Sequence, residues 1–306
     1  MATIIESVGV VGGRGRRARS ARKLADAAAE RAIDRAGLVA DDIGLLLNAG
    51  IYRDGNLGEP ALAALIQEDI GAHPEDPHDG DHGTFSFDVA NGTCGMLTAL
   101  QVADGFLRAG TIDHALIVAS DADPGRHMAP DFPFAASGAA IVCGRADGPE
   151  GIAGFRFAHG PPLVSPTAGP ATSGPDEGLR GTVAFERGRN RLTIVQAPDF
   201  DAAAGAWAGE VATALLGDHG LTVDDVDAIV ANPLTPPFLD ALADALGVDR
   251  ARVGTALEGP PVHTAGLGVA LAAATEGAAL GGRWALLVSA GAGPTAGAAL
   301  VRTGRR

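Results

Sequence analysis

Thr93 and Cys94 place a hydroxyl and a thiol side by side, directly after an Asn-Gly turn signal. Residues 85–90 alternate apolar and polar side chains, which predicts a strand, and apolar residues over 97–107 recur at helical spacing. Both side chains therefore belong to the first turn of a helix, where free backbone N–H groups and the helix dipole lower the pKa of a thiol. Cys94 is thus a candidate nucleophile, although a single cysteine is also common as a small buried helix residue.

An imidazole and a carboxamide stand at comparable corners later in the chain. His263 precedes a small-residue helix predicted at 266–281, and Asn232 follows a strand predicted at 226–230. A hydroxyl or thiol, an imidazole and a carboxamide are the groups from which a nucleophile-and-base site is built. These residues therefore predict a nucleophile-and-base site.

These corners are comparable because the chain contains an internal repeat. Gly-Leu-Val-Ala-Asp-Asp-Ile at 37–43 is echoed by Gly-Leu-Thr-Val-Asp-Asp-Val at 220–226, and Ala-Leu-Ile-Val at 115–118 by Ala-Leu-Leu-Val at 285–288. Two landmarks in the same order indicate duplication of one α/β unit. The alternation of helices and strands then predicts an α/β fold with two largely parallel sheets, and with helices sandwiched between and outside them.

We expect the two halves to comprise residues 1–158 and 182–306, joined by a linker or loop at 159–181 that is rich in Pro, Gly, Ser and Thr. The remaining patterns predict strands at 4–11, 43–48, 115–120 and 138–143, helices at 20–36, 58–70 and 95–110, and a hairpin of 182–185 with 192–195.

The charge balance argues against nonspecific nucleic-acid binding, because the 306 residues carry a net charge of −14 at pH 7. A local basic cluster comprises Arg14, Arg16, Arg17 and Arg19, followed by Arg22 and Lys23. It is either a solvated loop and helix start or a contact for a phosphate or an acidic partner protein.

The remaining composition predicts a soluble, cytoplasmic protein. Cys94 and Cys143 do not suggest a disulfide framework, and no leader sequence or apolar run of membrane-spanning length is visible. The loop at 73–82 holds three histidines and four carboxylates, but their spacing matches no metal-ligand pattern. We therefore expect no metal site and no cofactor.

Three stretches carry a resemblance to a known family: Phe-Asp-Val-Ala-Asn-Gly-Thr-Cys-Gly at 87–95, the helix end at 240–247 and the glycine-rich run at 290–302. Over residues 20–145 and 205–302 the chain resembles the thiolase fold and, within it, the ketoacyl-ACP synthase III family. The resemblance implies a dimeric thiolase fold that handles acyl thioesters of an acyl-carrier protein or of coenzyme A. It also implies an active site of Cys, His and Asn.

The resemblance places these catalytic roles on altered residues. The family's cysteine position falls on Thr93, and Cys94 stands one place later. The family's histidine position falls on Asn232, and its asparagine position falls on His263. The implied roles are Cys94, or Thr93 through His263, as acyl acceptor, with His263 as the base.

The family's oxyanion glycine falls on Ala292, next to Gly291, and a backbone N–H at that position can still donate to a carbonyl oxygen. The side chain of Asn232 is a second candidate donor.

Two functions fit these residues. The first is a ketoacyl-ACP synthase III-like acyltransferase or condensing enzyme that acts on acyl-carrier-protein or coenzyme A thioesters in polyketide or other secondary metabolism. The second is a catalytically silent thiolase-fold subunit that pairs with an active ketosynthase, since the aligned cysteine and the aligned histidine are both replaced. The first function fits a homodimer, and the second fits a heterodimer with a ketosynthase homologue.

Overall fold

The computed structural model of the chain describes residues 1–13, 20–53, 60–73, 83–125, 127–159, 179–186, 189–254, 257, 259–276, 283–291 and 295–304. The helices are α1 (Ala21–Ala36), α2 (Leu62–Ile70), α3 (Gly95–Ala109), α4 (Phe200–Asp218), α5 (Pro236–Leu246) and α6 (Gly266–Glu276). The strands are β1 (Ala2–Gly12), β2 (Ile43–Asn48), β3 (Phe85–Asp88), β4 (His114–Asp121), β5 (Ser137–Ala146), β6 (Gly151–His159), β7 (Leu179–Glu186), β8 (Arg189–Gln196), β9 (Ala228–Asn232), β10 (Trp284–Gly291) and β11 (Thr295–Arg302).

The strands form two larger sheets and a separate hairpin. The first sheet has the order β1-β5-β4-β2-β3, the second has the order β6-β11-β10-β9, and β7 pairs with β8. Both larger sheets are mixed, so the prediction of largely parallel sheets is wrong in that detail. In the first sheet β2 pairs parallel with β3 and β4, whereas β5 pairs antiparallel with β4 and β1. The reason is that β4–β5 and β10–β11 follow each other without a crossover helix, and strands joined in that way return antiparallel.

The sequence pattern decides which face of each helix is buried. Helices α3 and α6 lie between the two sheets, and side chains of both sheets share one apolar core with them. Helices α1 and α2 cover the outer face of the first sheet, and α4 and α5 cover the outer face of the second. The predicted arrangement of helices between and outside two sheets is confirmed.

The duplication is confirmed at the level of single hydrogen bonds. Each half has a short 3₁₀ helix before its first parallel strand, at Ala40–Asp42 and at Val223–Asp225. In the first, the carboxylate of Asp42 accepts a hydrogen bond of 2.8 Å from the backbone of Val39, and Asp225 accepts one of 2.8 Å from Thr222 in the second. The same Asp-Asp pair therefore makes the same turn twice.

The sheets divide the chain between β5 and β6, because β6 pairs with β11 of the second sheet. The sequence reasoning missed β6, whose residues 151–158 it had assigned to the first half. Within the expected linker, residues 160–178 lie outside the described part of the chain, and residues 179–181 begin β7. The division into domains at 158 and 182 stays a prediction.

Two predicted helices differ from the observed ones at their ends. The helix predicted at 58–70 begins at Leu62, and residues 58 and 59 lie outside the described ranges. The helix predicted at 266–281 is described as far as Glu276. Within the part of the chain that the structure covers, no helix is both long and apolar enough to cross a membrane.

Candidate active site

The corner between β3 and α3 holds the two candidate nucleophiles. Gly92 has a φ of 52°, which a residue with a side chain rarely adopts, and a 3₁₀ helix over Gly92–Cys94 leads directly into α3. Successive residues on a 3₁₀ helix point in different directions, because each is rotated by about 120° from the one before it. Thr93 and Cys94 consequently face different neighbours.

Thr93 faces the end of β10. Its side-chain hydroxyl donates a hydrogen bond to the carbonyl of Ala290, and only 5% of the residue is exposed. Its own carbonyl accepts a hydrogen bond of 2.9 Å from the Asn232 side-chain amide. A Cβ atom at Gly291 would lie 2.7 Å from the Thr93 hydroxyl oxygen, so a glycine is needed for β10 to come this close.

Cys94 faces β11 instead. Its thiol donates to the carbonyl of Thr295 at 3.4 Å, and the residue is fully buried. Burial raises the pKa of the Cys94 thiol far above its ordinary value, and a backbone hydrogen bond from Gly297 opposes this only in part. The prediction that the helix terminus lowers the pKa of this thiol is therefore wrong, because desolvation outweighs the dipole.

Asn232 joins the two halves of the chain at the end of β9. It is fully buried, and its Nδ2 must face the Thr93 carbonyl because a carbonyl oxygen can only accept. Its Oδ1 has no hydrogen-bond partner among the described residues. A Cβ atom at Gly266, the first residue of α6, would lie 1.9 Å from this Oδ1. The amide is thus held between α6 and the Thr93 corner.

His263 lies in an aromatic enclosure before α6. Its ring stacks on Phe134 with centroids 4.3 Å apart and lies 5.2 Å from the ring of Tyr52. Only 3% of the residue is exposed, and neither ring nitrogen has a hydrogen-bond partner within the described ranges. Burial lowers the pKa of His263, and the nearby Asp121 carboxylate opposes that shift in part. The imidazole is consequently neutral near pH 7.

Asp121 is a site residue that the sequence reasoning missed. It ends β4, is fully buried, and its Oδ2 lies 3.8 Å from Nδ1 of His263. A signal was present, since an acidic residue ends an otherwise apolar strand. Its partner, however, is more than one hundred residues away in the sequence, and local patterns do not reveal such a pair.

The structure places Asn232 and Gly291 each against Thr93. His263 lies on the turn that leads into α6, where the Gly266 N–H donates to the His263 carbonyl at 3.2 Å. The predicted oxyanion residue Ala292 lies outside the described residues. The same holds for the basic cluster Arg14, Arg16, Arg17 and Arg19 and for residues 74–82 of the histidine-containing loop. Among the residues that are described, no group of three or more His, Cys, Asp or Glu side chains could hold a metal ion.

These groups can support nucleophilic chemistry at a hydroxyl. A hydroxyl that donates to a carbonyl still has its lone pairs available for an electrophile, and a neutral imidazole can accept its proton. The amide of Asn232 has a second N–H beyond the one that Thr93 accepts. The buried thiol of Cys94 offers no comparable thiolate.

The chain is similar to known proteins over the regions that hold these site residues. The family model for the 3-oxoacyl-(acyl-carrier-protein) synthase III C terminal matches residues 216–303. The beta-ketoacyl-(acyl-carrier-protein) synthase III of Rhizorhabdus wittichii is 30% identical to this chain over 293 residues, covering 91% of this chain and 83% of that protein.

Two solved structures are similar over nearly the whole chain. The 3-oxoacyl-(acyl carrier protein) synthase III of Pseudomonas aeruginosa has a TM-score of 0.78 at 20% identity and covers 100% of this chain and 99% of its own. The priming beta-ketosynthase of a polyketide biosynthetic pathway has a TM-score of 0.78 at 20% identity and covers 100% of this chain and 97% of its own. These likenesses confirm the predicted thiolase fold.

Proposed function

We propose a function from one premise: the chain belongs to the beta-ketoacyl-(acyl-carrier-protein) synthase III family. It is therefore an acyltransferase of the condensing-enzyme type. The proposed substrate is an acyl thioester of an acyl-carrier protein or of coenzyme A, in polyketide or other secondary metabolism. The proposed acyl acceptor is the hydroxyl of Thr93.

One observation carries this assignment. Thr93, and not Cys94, lies where Asn232 and the end of β10 meet, whereas the thiol of Cys94 is turned toward β11. A nucleophile must reach the carbonyl carbon of a substrate that lies against the site, and a thiol buried behind the corner does not.

In the proposed step, the Thr93 oxygen attacks the thioester carbonyl carbon. The Thr93 proton passes to the neutral imidazole of His263, the carbon–sulfur bond breaks, and the carrier thiolate takes that proton and leaves as a thiol. The acyl group is then an ester on Thr93, from which it passes to the acceptor. Asn232 and the backbone N–H of Ala292 are the proposed donors to the carbonyl oxygen.

The proposed partners follow from the family. The acyl-carrier protein or coenzyme A delivers the acyl group, and the arginines at 14, 16, 17 and 19 are the proposed contact for its phosphate or for the carrier protein. We expect the enzyme to be a homodimer, and a pairing with a ketosynthase homologue belongs to the second function described below.

Intact-mass analysis tests the assignment directly. The purified chain is incubated with acyl-CoA and acyl-carrier-protein donors, next to Thr93→Val and Cys94→Ala variants. Valine has the shape of threonine without the hydroxyl, so Thr93→Val should lose the acyl adduct, whereas Cys94→Ala should keep it. An adduct that survives in Thr93→Val and disappears in Cys94→Ala would reverse the assignment.

A second function is favoured by the burial of both candidate nucleophiles. The Thr93 hydroxyl is hydrogen-bonded to Ala290, and Cys94 is fully buried. A catalytically silent subunit that pairs with an active ketosynthase would show such a site. The absence of an adduct with every donor, together with restored turnover on addition of a ketosynthase homologue, would support this function instead.

A further inference from the structure

Asp121 is a buried carboxylate held by hydrogen bonds from two separate segments of the chain, at Tyr52 and at Thr264. Its Oδ2 accepts hydrogen bonds from the backbone N–H of Thr264 at 2.7 Å and from the Thr264 hydroxyl at 2.5 Å. Its Oδ1 accepts from the backbone N–H of Tyr52 at 3.1 Å. A buried charge is costly unless it is paired or hydrogen-bonded, and these three donors meet that need.

The same two segments also border His263. Thr264 directly follows His263 in the chain, and the Tyr52 ring lies against the imidazole. The imidazole also stacks on Phe134, and the neighbouring N–H of Ala135 donates to the carbonyl of Pro261 at 2.9 Å. Asp121 therefore fixes both the turn that carries the imidazole and one wall of its enclosure.

The distance from Asp121 to the imidazole is informative. Its Oδ2 lies 3.8 Å from Nδ1 of His263, which is longer than a hydrogen bond. At that distance in a buried site, a negative charge still strongly favours a proton on the nearer nitrogen. Nδ1 and Nε2 are thus unequal, although neither has a hydrogen-bond partner among the described residues.

We propose that Asp121 is the positioning residue of His263: its carboxylate keeps the proton of the neutral imidazole on Nδ1 and leaves Nε2 as the basic nitrogen. The part of this inference that concerns catalysis rests on the proposed function, because Nε2 is then the atom that receives the Thr93 proton. When it does, the imidazolium forms with a buried carboxylate already beside its Nδ1–H. The carboxylate touches no reacting atom.

The tautomer can be measured in the unmodified protein. Nitrogen-15 NMR of protein labelled at histidine distinguishes a protonated Nδ1 from a protonated Nε2, and the His263→Gln spectrum identifies the signal among the eight histidines. We expect a proton on Nδ1 and a bare Nε2 at pH 7. A proton on Nε2 would overturn the proposal, whether or not the protein transfers acyl groups.

Two variants separate the charge of Asp121 from its hydrogen bonds. Asp121→Asn removes the charge and nearly keeps the shape, and we expect the two tautomers to become mixed. Thr264→Val is the matched control, because it removes one hydrogen bond to Asp121 and keeps the charge. We expect it to retain the proton on Nδ1. An equal change in both variants would assign the effect to the turn geometry and overturn the proposal.

A double-mutant cycle tests the link to turnover. Asp121→Asn should slow acylation on the order of tenfold to a hundredfold, the size of effect that misplacement of a catalytic group produces. In a His263→Gln background the same substitution should have no further effect, because Asp121 acts through His263. An equal loss in both backgrounds would contradict the proposal. If no variant, nor the unmodified chain, forms an adduct, the proposed function fails, and the tautomer measurement still decides the role of Asp121.

Discussion

At the scale of single residues, Thr93 and Cys94 show how one step along a helix changes the chemistry of a side chain. The thiol is the stronger intrinsic nucleophile, but it is fully buried against β11, and burial raises its pKa. The hydroxyl is weaker, but it lies at the joint with Asn232. Under the proposed function the position beside Asn232 favours the hydroxyl, and a hydroxyl needs a base such as His263 to act as a nucleophile.

The state of His263 predicts the pH dependence of acylation. The imidazole must be neutral to act as a base, and burial lowers its pKa below the ordinary value of 6.5, so the neutral form persists into more acidic solution. We expect the acidic limb of the acylation rate to have its midpoint below pH 6.5. A midpoint above that value, or an unchanged limb in His263→Gln, would show that another group is titrating.

The close contact between Gly266 and Asn232 predicts that adding one methyl group at Gly266 has a large effect. A Cβ atom there would lie 1.9 Å from the Asn232 Oδ1, so Gly266→Ala must displace the amide and break its bond to Thr93. We expect a loss of about 1–3 kcal/mol in the free energy of unfolding and the loss of acylation. Gly105→Ala is the control, because nothing lies within 4 Å of its Cβ in α3. It should stabilise by about 0.5–1 kcal/mol. Equal denaturation midpoints for the two variants would contradict this account.

At the scale of elements, the contact between α1 and α2 contains a pair of carboxyl groups. Burial, followed by the negative charge of Asp69, raises the pKa of Asp26 to about 7. Arg22 pairs with Asp69 at 2.8 Å and opposes the shift only in part. Because the folded pKa lies above the unfolded one, ionisation of Asp26 favours unfolding, and stability falls as the pH rises from about 4 to 7.

Asp26→Asn should therefore stabilise the fold most in alkaline solution. The variant has no charge to bury at pH 8, and we expect a gain of about 1 kcal/mol there after allowance for solvent screening of this partly exposed group. The gain should shrink toward pH 4. Glu68→Gln, which removes an exposed charge from α2, is the control and should show little dependence on pH. Thermal unfolding of both variants at pH 5 and pH 8 measures the difference.

The sequence predicts the locally encoded elements of the fold but not the pairing of distant strands. Helices and strands with strong periodicity, and the repeated Gly-Leu-X-X-Asp-Asp turn, are local features and were predicted. The missed strand β6 belongs to the second sheet only because β11 lies beside it. The sheets are mixed rather than largely parallel because β5 and β11 return directly from β4 and β10 without a crossover helix. The candidate site divides in the same way, since Thr93, Asn232 and His263 stand at predictable corners, whereas the contact of Asp121 with Thr264 forms only in the folded chain.

At the scale of the whole molecule, β3 is an edge strand with an exposed apolar side chain. Phe85 is 58% exposed and packs against Phe87 with the two ring planes tilted by 45°, and an edge strand of this kind favours pairing with another chain. We expect two copies to associate through β3, which would place the two Thr93 corners near the interface.

Phe85→Asp tests this association. Light scattering during size-exclusion chromatography should show a dimer for the unmodified chain and a monomer for the variant. Val39→Asp is the matched control, because Val39 is an apolar residue of similar exposure, 64%, but lies before β2 rather than on the edge strand. A dimer that survives Phe85→Asp, or that dissociates in Val39→Asp, would exclude β3 as the interface.

The position of the acyl group tests the central claim most directly. The acylated, unmodified protein is digested, the acyl group is located by peptide mass spectrometry, and a second sample is first treated with hydroxylamine at neutral pH, which cleaves thioesters but not oxygen esters. We predict an acyl group on Thr93 that survives this treatment. An acyl group on Cys94 that hydroxylamine removes would contradict the account.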